Sequence, residues 1–343
     1  MFPNSQYSRV RSSRLLSRGA LALALALALG TAGGGSMLSA PAMAKDAAPE
    51  LSAGFRAIAA PLQKELEEAK KKQGDAATVA AVKAKVEAGL TAAQTPDDKF
   101  FAGNFAIQGS MLDNDTALQR RGLESVIGSG KLPAADVGKY NYYLGANAYS
   151  AKDFATARKA FGAAVAAGFR ENDVEALLAE SYFTDNQAAQ GLDVLMKSIE
   201  ARTAAGTAAP EAWYRRGLGV AYNAKLLDQA GRYSNALVAA YPSTQNWSGA
   251  ISVVRTVGNF QPQEMLDLLR LMARTKSFSE GSEYLDYAQV ADARRLPGEV
   301  VKLLDQGIAA GKIKAADNFV SESKGIANSR IASDKASLPG LER

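Results

Sequence analysis

The chain of 343 residues contains neither cysteine nor histidine. Without Cys it can form no disulfide, no thiolate nucleophile and no zinc–thiolate site. Without His it lacks the general base of Ser-His-Asp and Cys-His catalytic groups and the commonest metal-binding side chain. These absences exclude mechanisms that depend on a His base, a Cys nucleophile or imidazole and thiolate metal ligands, although paired carboxylates alone can run acid–base chemistry. We therefore predict no catalytic residue, no metal site and no cofactor.

Residues 1–44 contain no acidic side chain and have the pattern of a secretory signal peptide. A positively charged stretch comes first, and its arginines are Arg9, Arg11, Arg14 and Arg18. The alternating Ala-Leu run at 20–29 follows, and Ala42-Met43-Ala44 provides a cleavage site with small residues at its first and third positions. A ten-residue apolar run is too short to anchor a protein permanently in a bilayer. We expect export and no membrane anchor in the mature chain.

Cleavage after Ala44 fits best, with Ala32 and Ala40 as alternatives, and it predicts a periplasmic or secreted protein. The whole chain has 40 basic and 35 acidic side chains and a pI near 9.2. Removing the four arginines of the signal peptide leaves 36 basic against 35 acidic, a formal charge of +1. A nearly neutral mature chain gives no electrostatic basis for binding nucleic acid or an anionic membrane surface.

The remainder of the sequence predicts α-helices almost throughout. Apolar residues from 51 to 66 recur at three- and four-residue spacing, which is typical of a helix with one buried face. Thr95, followed by Pro-Asp-Asp, is typical of a helix start. No stretch shows the sustained alternation of a strand. We predict an all-α chain, with an N-terminal helical hairpin at 45–96 and further helix pairs at 97–110 and 115–128.

A repeated pattern follows, first visible in the string YLGANAYSAKDFATARKAFGAAVAAG at 143–168. The string contains a Leu-Gly pair at Leu144 and Gly145. An aromatic residue, Phe154, begins its second helix, and an Ala-x-x-x-Phe pattern follows at Ala157 and Phe161. Leu178 comes 34 residues after Leu144 and is followed by the small residue Ala179 and by Tyr182. In this pattern and this period the chain resembles the tetratricopeptide repeat family.

The resemblance is clearest over 139–200 and extends more loosely over 97–311. It implies an α-α superhelix, a right-handed solenoid of helical hairpins in which each hairpin buries its apolar face against its neighbours. Small residues such as Gly145 are expected where the two helices of one hairpin cross.

The polar segment at 312–343 shows no capping helix in its sequence pattern. Terminal repeats of a solenoid normally need a polar cap. Continuation of the natural chain beyond Arg343 is therefore an open alternative.

In the tetratricopeptide repeat family the first helices of the hairpins line a concave face that binds peptides or segments of partner proteins. The resemblance places these residues on that face: Tyr142, Tyr143, Tyr149, Asp173, Glu180, Phe183, and Arg215 or Arg216. Aromatic and Arg side chains dominate the energetics of many protein interfaces. For each tyrosine, packing between hairpins is the alternative. The carboxylate clamp of chaperone-binding members is not reproduced, because its Lys and Asn positions hold Tyr142, Ala146 and Leu177.

The sequence thus predicts an exported, non-catalytic scaffold that binds a protein or peptide partner through its concave face in the cell envelope. The alternative is an enzyme, or the helical accessory region of one, as in periplasmic murein-cleaving enzymes that carry an α-superhelix. The oligomeric state is left open.

Overall fold

The computed structural model describes residues 49–72 and 75–341. The predicted signal peptide at 1–44 lies outside the described residues. Within the described ranges the chain forms fifteen α-helices and no strand, which confirms the predicted all-α fold. Contacts divide the chain into two units between Asp185 and Asn186, and each unit is described by itself.

The first unit contains seven helices, which pack on their neighbours in chain order, as a helical solenoid requires. They are α1 (Ala53–Lys72), α2 (Ala76–Ala92), α3 (Pro96–Ser110), α4 (Thr116–Gly128), α5 (Ala134–Ser150), α6 (Phe154–Ala166) and α7 (Val174–Thr184). The predicted helices at 97–110 and 115–128 correspond to α3 and α4.

The start of α3 also holds the chain ahead of α1. Thr95 and Asp98 form a capping box, in which the Asp98 N–H donates to Thr95 Oγ1 (3.0 Å). The buried Asp98 carboxylate accepts further bonds from the N–H groups of Ser52 (3.0 Å) and Gln94 (3.0 Å). Burial opposes its ionisation, but these hydrogen bonds outweigh burial and leave the pKa of Asp98 below its ordinary value. One carboxylate therefore links the first two hairpins.

Glycine allows the helices of a hairpin to approach closely. A Cβ added at Gly145 on α5 would lie 2.5 Å from the Phe161 ring of α6, so the predicted crossing at Gly145 is confirmed. Gly103 and Gly122 play the same part between α3 and α4, where an added Cβ at Gly103 would lie 2.6 Å from the Gly122 carbonyl oxygen. Ala157, on the same helix as Phe161, is fully buried.

Charged pairs connect successive hairpins of the first unit. A cation on the second helix of each hairpin reaches a carboxylate at the turn of the next hairpin. The pairs are Lys83–Asp115 (2.5 Å), Arg120–Asp153 (2.7 Å) and Arg158–Asp185 (2.8 Å). The cations recur at intervals of 37 and 38 residues. The side chains are partly exposed, so each pair contributes at most about 1 kcal/mol.

The second unit contains eight helices, again packed in chain order. They are α8 (Ala188–Ala204), α9 (Glu211–Asn223), α10 (Leu227–Ala240), α11 (Thr244–Val257), α12 (Pro262–Thr275), α13 (Gly281–Ala291), α14 (Pro297–Ala309) and α15 (Asn318–Leu341). Its C-terminal core includes Leu266, Leu269 and Leu304, all fully buried.

The expectation that 312–343 lacks a capping helix is wrong. Residues 318–341 form α15, which packs against α14. Val320 and Ala327 are fully buried in the core of the second unit. The sequence pattern missed this helix because small and polar residues separate its few apolar contacts.

Candidate partner-binding surface

Tyr142 lies inside its hairpin. Only 7% of the residue is exposed, and its ring stacks on Phe169 (5.3 Å between centroids) and packs against Phe161 (6.2 Å). Burial raises the pKa of the Tyr142 phenol. The sequence places Tyr142 on the partner-binding face, but in the structure its ring is buried against Phe161 and Phe169. Tyr142 therefore offers little ring area to a partner.

The other two predicted tyrosines of α5 are half-buried. Tyr143 packs edge-on against Tyr142 (5.5 Å). Tyr149 packs edge-on against Phe154 (5.6 Å), and its hydroxyl hydrogen-bonds the Thr184 hydroxyl (2.9 Å) at the end of α7. Tyr149 thus joins the ends of α5 and α7 and keeps part of its ring accessible.

The predicted residues of the next repeat differ in exposure. Glu180 is buried (6% exposed), whereas Phe183 is half-buried near the end of α7. Asp173 is exposed and has a left-handed backbone (φ 53°) immediately before α7. Of these three side chains, Phe183 is the one that can offer apolar area to a partner.

Arg215 and Arg216 are half-buried on α9. The Arg215 guanidinium donates twice to Glu211 Oε1 (3.0 and 2.8 Å), which also accepts a bond from the Asn246 side chain (2.7 Å). The hydrogen bond from Asn246 and that from Arg215 lower the pKa of Glu211. Arg215 is therefore held in a contact between α9 and α11.

Exposed apolar side chains mark a position that the sequence analysis did not single out. Among the described residues, four large apolar residues are exposed: Met111 (44%), Leu227 (42%), Tyr222 (37%) and Phe319 (36%). Met111 and Tyr222 occupy the same place in their hairpins. Each comes three residues before a residue with a left-handed backbone, Asn114 (φ 61°) and Lys225 (φ 56°) respectively. A shared position in the turn indicates a repeated feature rather than two isolated exposures.

Tyr149 and Phe183 occupy this place too, three residues before Lys152 (φ 61°) and Asn186 (φ 58°). In α5 the N–H that follows the left-handed residue donates back to the carbonyl of Ala148 (2.9 Å), which closes the end of the helix. Met111, Tyr149 and Phe183 belong to the first unit, and we call these three side chains the terminal-turn row. Tyr222 holds the equivalent position in a hairpin of the second unit. Every member is exposed or half-buried, and every member is large and apolar.

The sequence does carry a signal for this row. Ala-Tyr-Ser-Ala-Lys at 148–152 and Ala-Tyr-Asn-Ala-Lys at 221–225 differ at one position and are 73 residues apart. Aligning them equates Tyr149 with Tyr222 and settles the register of the repeat that ends at Pro242. The predicted binding residues include Tyr149 and Phe183 but omit Met111 and Tyr222.

An open groove of about 470 Å³ lies beside the first member of the row. Its lining consists of Ala76, Val79, Ala80, Lys83, Leu112 and Asp113. The Lys83 ammonium donates hydrogen bonds to two carboxylates, Asp113 (2.8 Å) and Asp115 (2.5 Å), and these bonds raise the pKa of Lys83. The groove is thus lined largely by aliphatic side chains, and its one cation, Lys83, is paired with two carboxylates.

Metal-binding groups and membrane-spanning helices are both absent from the part of the chain described by the structure. No group of three or more acidic side chains there could hold a metal ion. Among the described helices, none has the length and apolar composition needed to cross a membrane.

No protein-family model matches the chain, and no curated protein matches its sequence.

Proposed function

We propose that this protein is an exported, non-catalytic scaffold that binds a protein or peptide partner in the cell envelope. The observation that carries the proposal is the terminal-turn row, in which the C-terminal end of each of three successive first helices of the first unit is followed or occupied by an accessible, large apolar side chain. Stacked hairpins generate such repeated surfaces, and solenoid proteins use them for binding.

We propose the first-helix face as the binding surface. Tyr149 and Phe183 support this assignment, because both keep accessible ring area. Tyr142 is better explained as a core residue, and Arg215 as part of a contact within its own unit. The resemblance to tetratricopeptide repeats, with its 34-residue period, favours the same face.

Export is proposed from the signal peptide pattern at 1–44, with a periplasmic destination. N-terminal sequencing of the protein recovered from the envelope should begin at Lys45, because cleavage after Ala44 is expected. Recovery of the intact Met1 end from the cytoplasm would contradict export.

Binding is tested by placing a photo-crosslinking amino acid at Tyr222 or Ser150 and irradiating cells that make the protein. Both residues lie at the ends of first helices and are exposed. We expect adducts with one or a few discrete proteins. Phe319, equally exposed but located on α15, is the matched control and should give none. Adducts from the control alone, or from no position, would contradict the proposed binding surface.

A further inference from the structure

We propose that Met111 is the residue at which a peroxide oxidant modifies this protein, and that the resulting sulfoxide weakens partner binding at the terminal-turn row. Regulation of binding in this way rests on the proposed function, whereas the site of oxidation can be tested without any partner.

Methionine is the one sulfur-containing residue type of this protein, because the chain has no cysteine. Cysteine thiolates are common protein targets of peroxide, so none competes here for the oxidant. The sequence has seven methionines, of which three fall within the predicted signal peptide. Cleavage after Ala44 leaves four, all within the described residues: Met111, Met196, Met265 and Met272.

These four side chains differ in their access to an oxidant. Met111 lies directly after α3 and is 44% exposed. Met196 is 4% exposed, Met272 is fully buried and Met265 is half-buried. Met111 is therefore the most accessible thioether of the mature chain.

A guanidinium group shields two of the other sulfurs further. Arg255 donates from Nε to Met265 Sδ (3.3 Å) and from a terminal nitrogen to Met272 Sδ (3.9 Å). Its second terminal nitrogen donates to Asp286 (2.9 Å), which holds the guanidinium in place. Oxidation uses a sulfur lone pair as the nucleophile, and an N–H that donates to this lone pair lowers its reactivity. Exposure and hydrogen bonding thus favour reaction at Met111.

The oxidation needs no catalytic group from the protein. The Met111 sulfur attacks one oxygen of hydrogen peroxide, the O–O bond breaks, and a sulfur–oxygen bond forms. The attacked oxygen loses its proton, and the second oxygen gains one and leaves as water. The sulfur loses two electrons, which reduce the peroxide. Methionine sulfoxide reductases reverse the change with electrons from a dithiol, so the modification is reversible.

The sulfoxide changes the surface at one end of the terminal-turn row. It replaces an apolar thioether by a polar group whose oxygen accepts hydrogen bonds from water. The next two residues, Leu112 and Asp113, line the open groove, so the change also lies at its edge. A partner that covers Met111 must remove this water, and burying a polar oxygen without a new donor is unfavourable. We therefore expect oxidation to weaken binding.

Mass spectrometry of the protein isolated from the envelope tests the site of oxidation. The folded protein is treated with hydrogen peroxide, and the sulfoxide fraction at each methionine is followed in time. We expect Met111 to react at least about tenfold faster than each of the other three methionines. In concentrated urea the four rates should converge, because the fold then shields none of them. Equally fast oxidation of another methionine in the folded protein would overturn the inference, as would the same rate difference in urea.

Photo-crosslinking at Ser150, in the same unit as Met111, tests the effect on binding. Cells that make the protein are treated with hydrogen peroxide and irradiated, and the adduct yield is divided by that of untreated cells making the same variant. The sulfoxide at Met111 is measured in the recovered protein. We expect the ratio to fall at least about threefold for the wild type and to stay near one for Met111→Leu, which has no sulfur there.

The comparison with Met111→Leu also controls for oxidation of the partner, which the two samples share. An equal fall in both proteins would overturn the inference. So would an unchanged or higher ratio in wild-type protein that carries the sulfoxide, because the partner would then tolerate the oxygen or donate to it. Absence of adducts in untreated cells would instead contradict the proposed function, and the mass spectra would still decide the site of oxidation.

Discussion

Replacing Gly145 by Ala should test how closely α5 and α6 approach. An added Cβ would lie 2.5, 2.7 and 2.9 Å from three carbons of the Phe161 ring. That ring is 1% exposed and packs against Tyr142, so it has little freedom to move away. Overpacking of this kind typically costs about 1–3 kcal/mol.

Inside a helix, Ala is more favourable than Gly by about 1 kcal/mol, and this gain in propensity offsets part of the steric cost. Gly162 on α6 separates the two effects, because an added Cβ there meets no atom within 4 Å. Gly162→Ala should stabilise the protein, whereas Gly145→Ala should not. The difference between the two free energies of unfolding should equal the steric cost, about 1–3 kcal/mol.

Urea unfolding followed by circular dichroism at 222 nm gives both values. The double variant Gly145→Ala with Phe161→Leu should recover part of the loss, since contacting residues couple energetically. If Gly145→Ala stabilises the protein as much as Gly162→Ala does, then the close crossing of α5 and α6 is refuted.

Two further perturbations address the core and the pH dependence. Ala157→Asp should lower the free energy of unfolding by about 3 kcal/mol or more, because it buries an unpaired carboxylate; urea unfolding measures the loss, and a neutral result would contradict the packing of α6. Because hydrogen bonds hold the pKa of Asp98 below its ordinary value, stability should fall as the pH drops below about 4 and the carboxylate gains its proton. Asp98→Asn should be less stable at pH 7 and should flatten that acid dependence, and an unchanged acid profile would contradict the role of Asp98.

Much of the fold follows from sequence periodicity. The apolar spacing predicts helices closely, and the predicted small residue Gly145 does lie at a helix crossing. By contrast, α15 could not be predicted from spacing alone, because among its described side chains Val320 and Ala327 are the fully buried apolar ones and mainly small and polar residues separate them. The burial of α15 depends on the surface of α14 against which it packs, and this tertiary contact cannot be read from the periodicity of α15 itself.

The candidate site was predictable in part. Tyr149 and Phe183 follow from the repeat register, but that register equally selects Tyr142, which Phe161 and Phe169 enclose. Register assigns a residue to a helix face, whereas burial depends on the size of the residues across the hairpin. Tyr222 can be found by aligning its segment with the one around Tyr149, whereas Met111 is defined only by its distance from a left-handed turn residue. At two of the four turns that residue is Lys, an unusual choice at a position that favours Gly or Asn.

The most direct test of the central claim compares Tyr222→Ala with Tyr142→Ala, measuring stability and partner affinity on the same samples. Tyr222 is 37% exposed, so its variant should unfold at nearly the wild-type urea midpoint and bind the crosslinked partner at least tenfold more weakly. Tyr142 is 7% exposed, so its variant should lose about 3–5 kcal/mol of stability, as buried aromatic residues do. A Tyr222→Ala protein that is destabilised but binds with unchanged affinity would contradict the account.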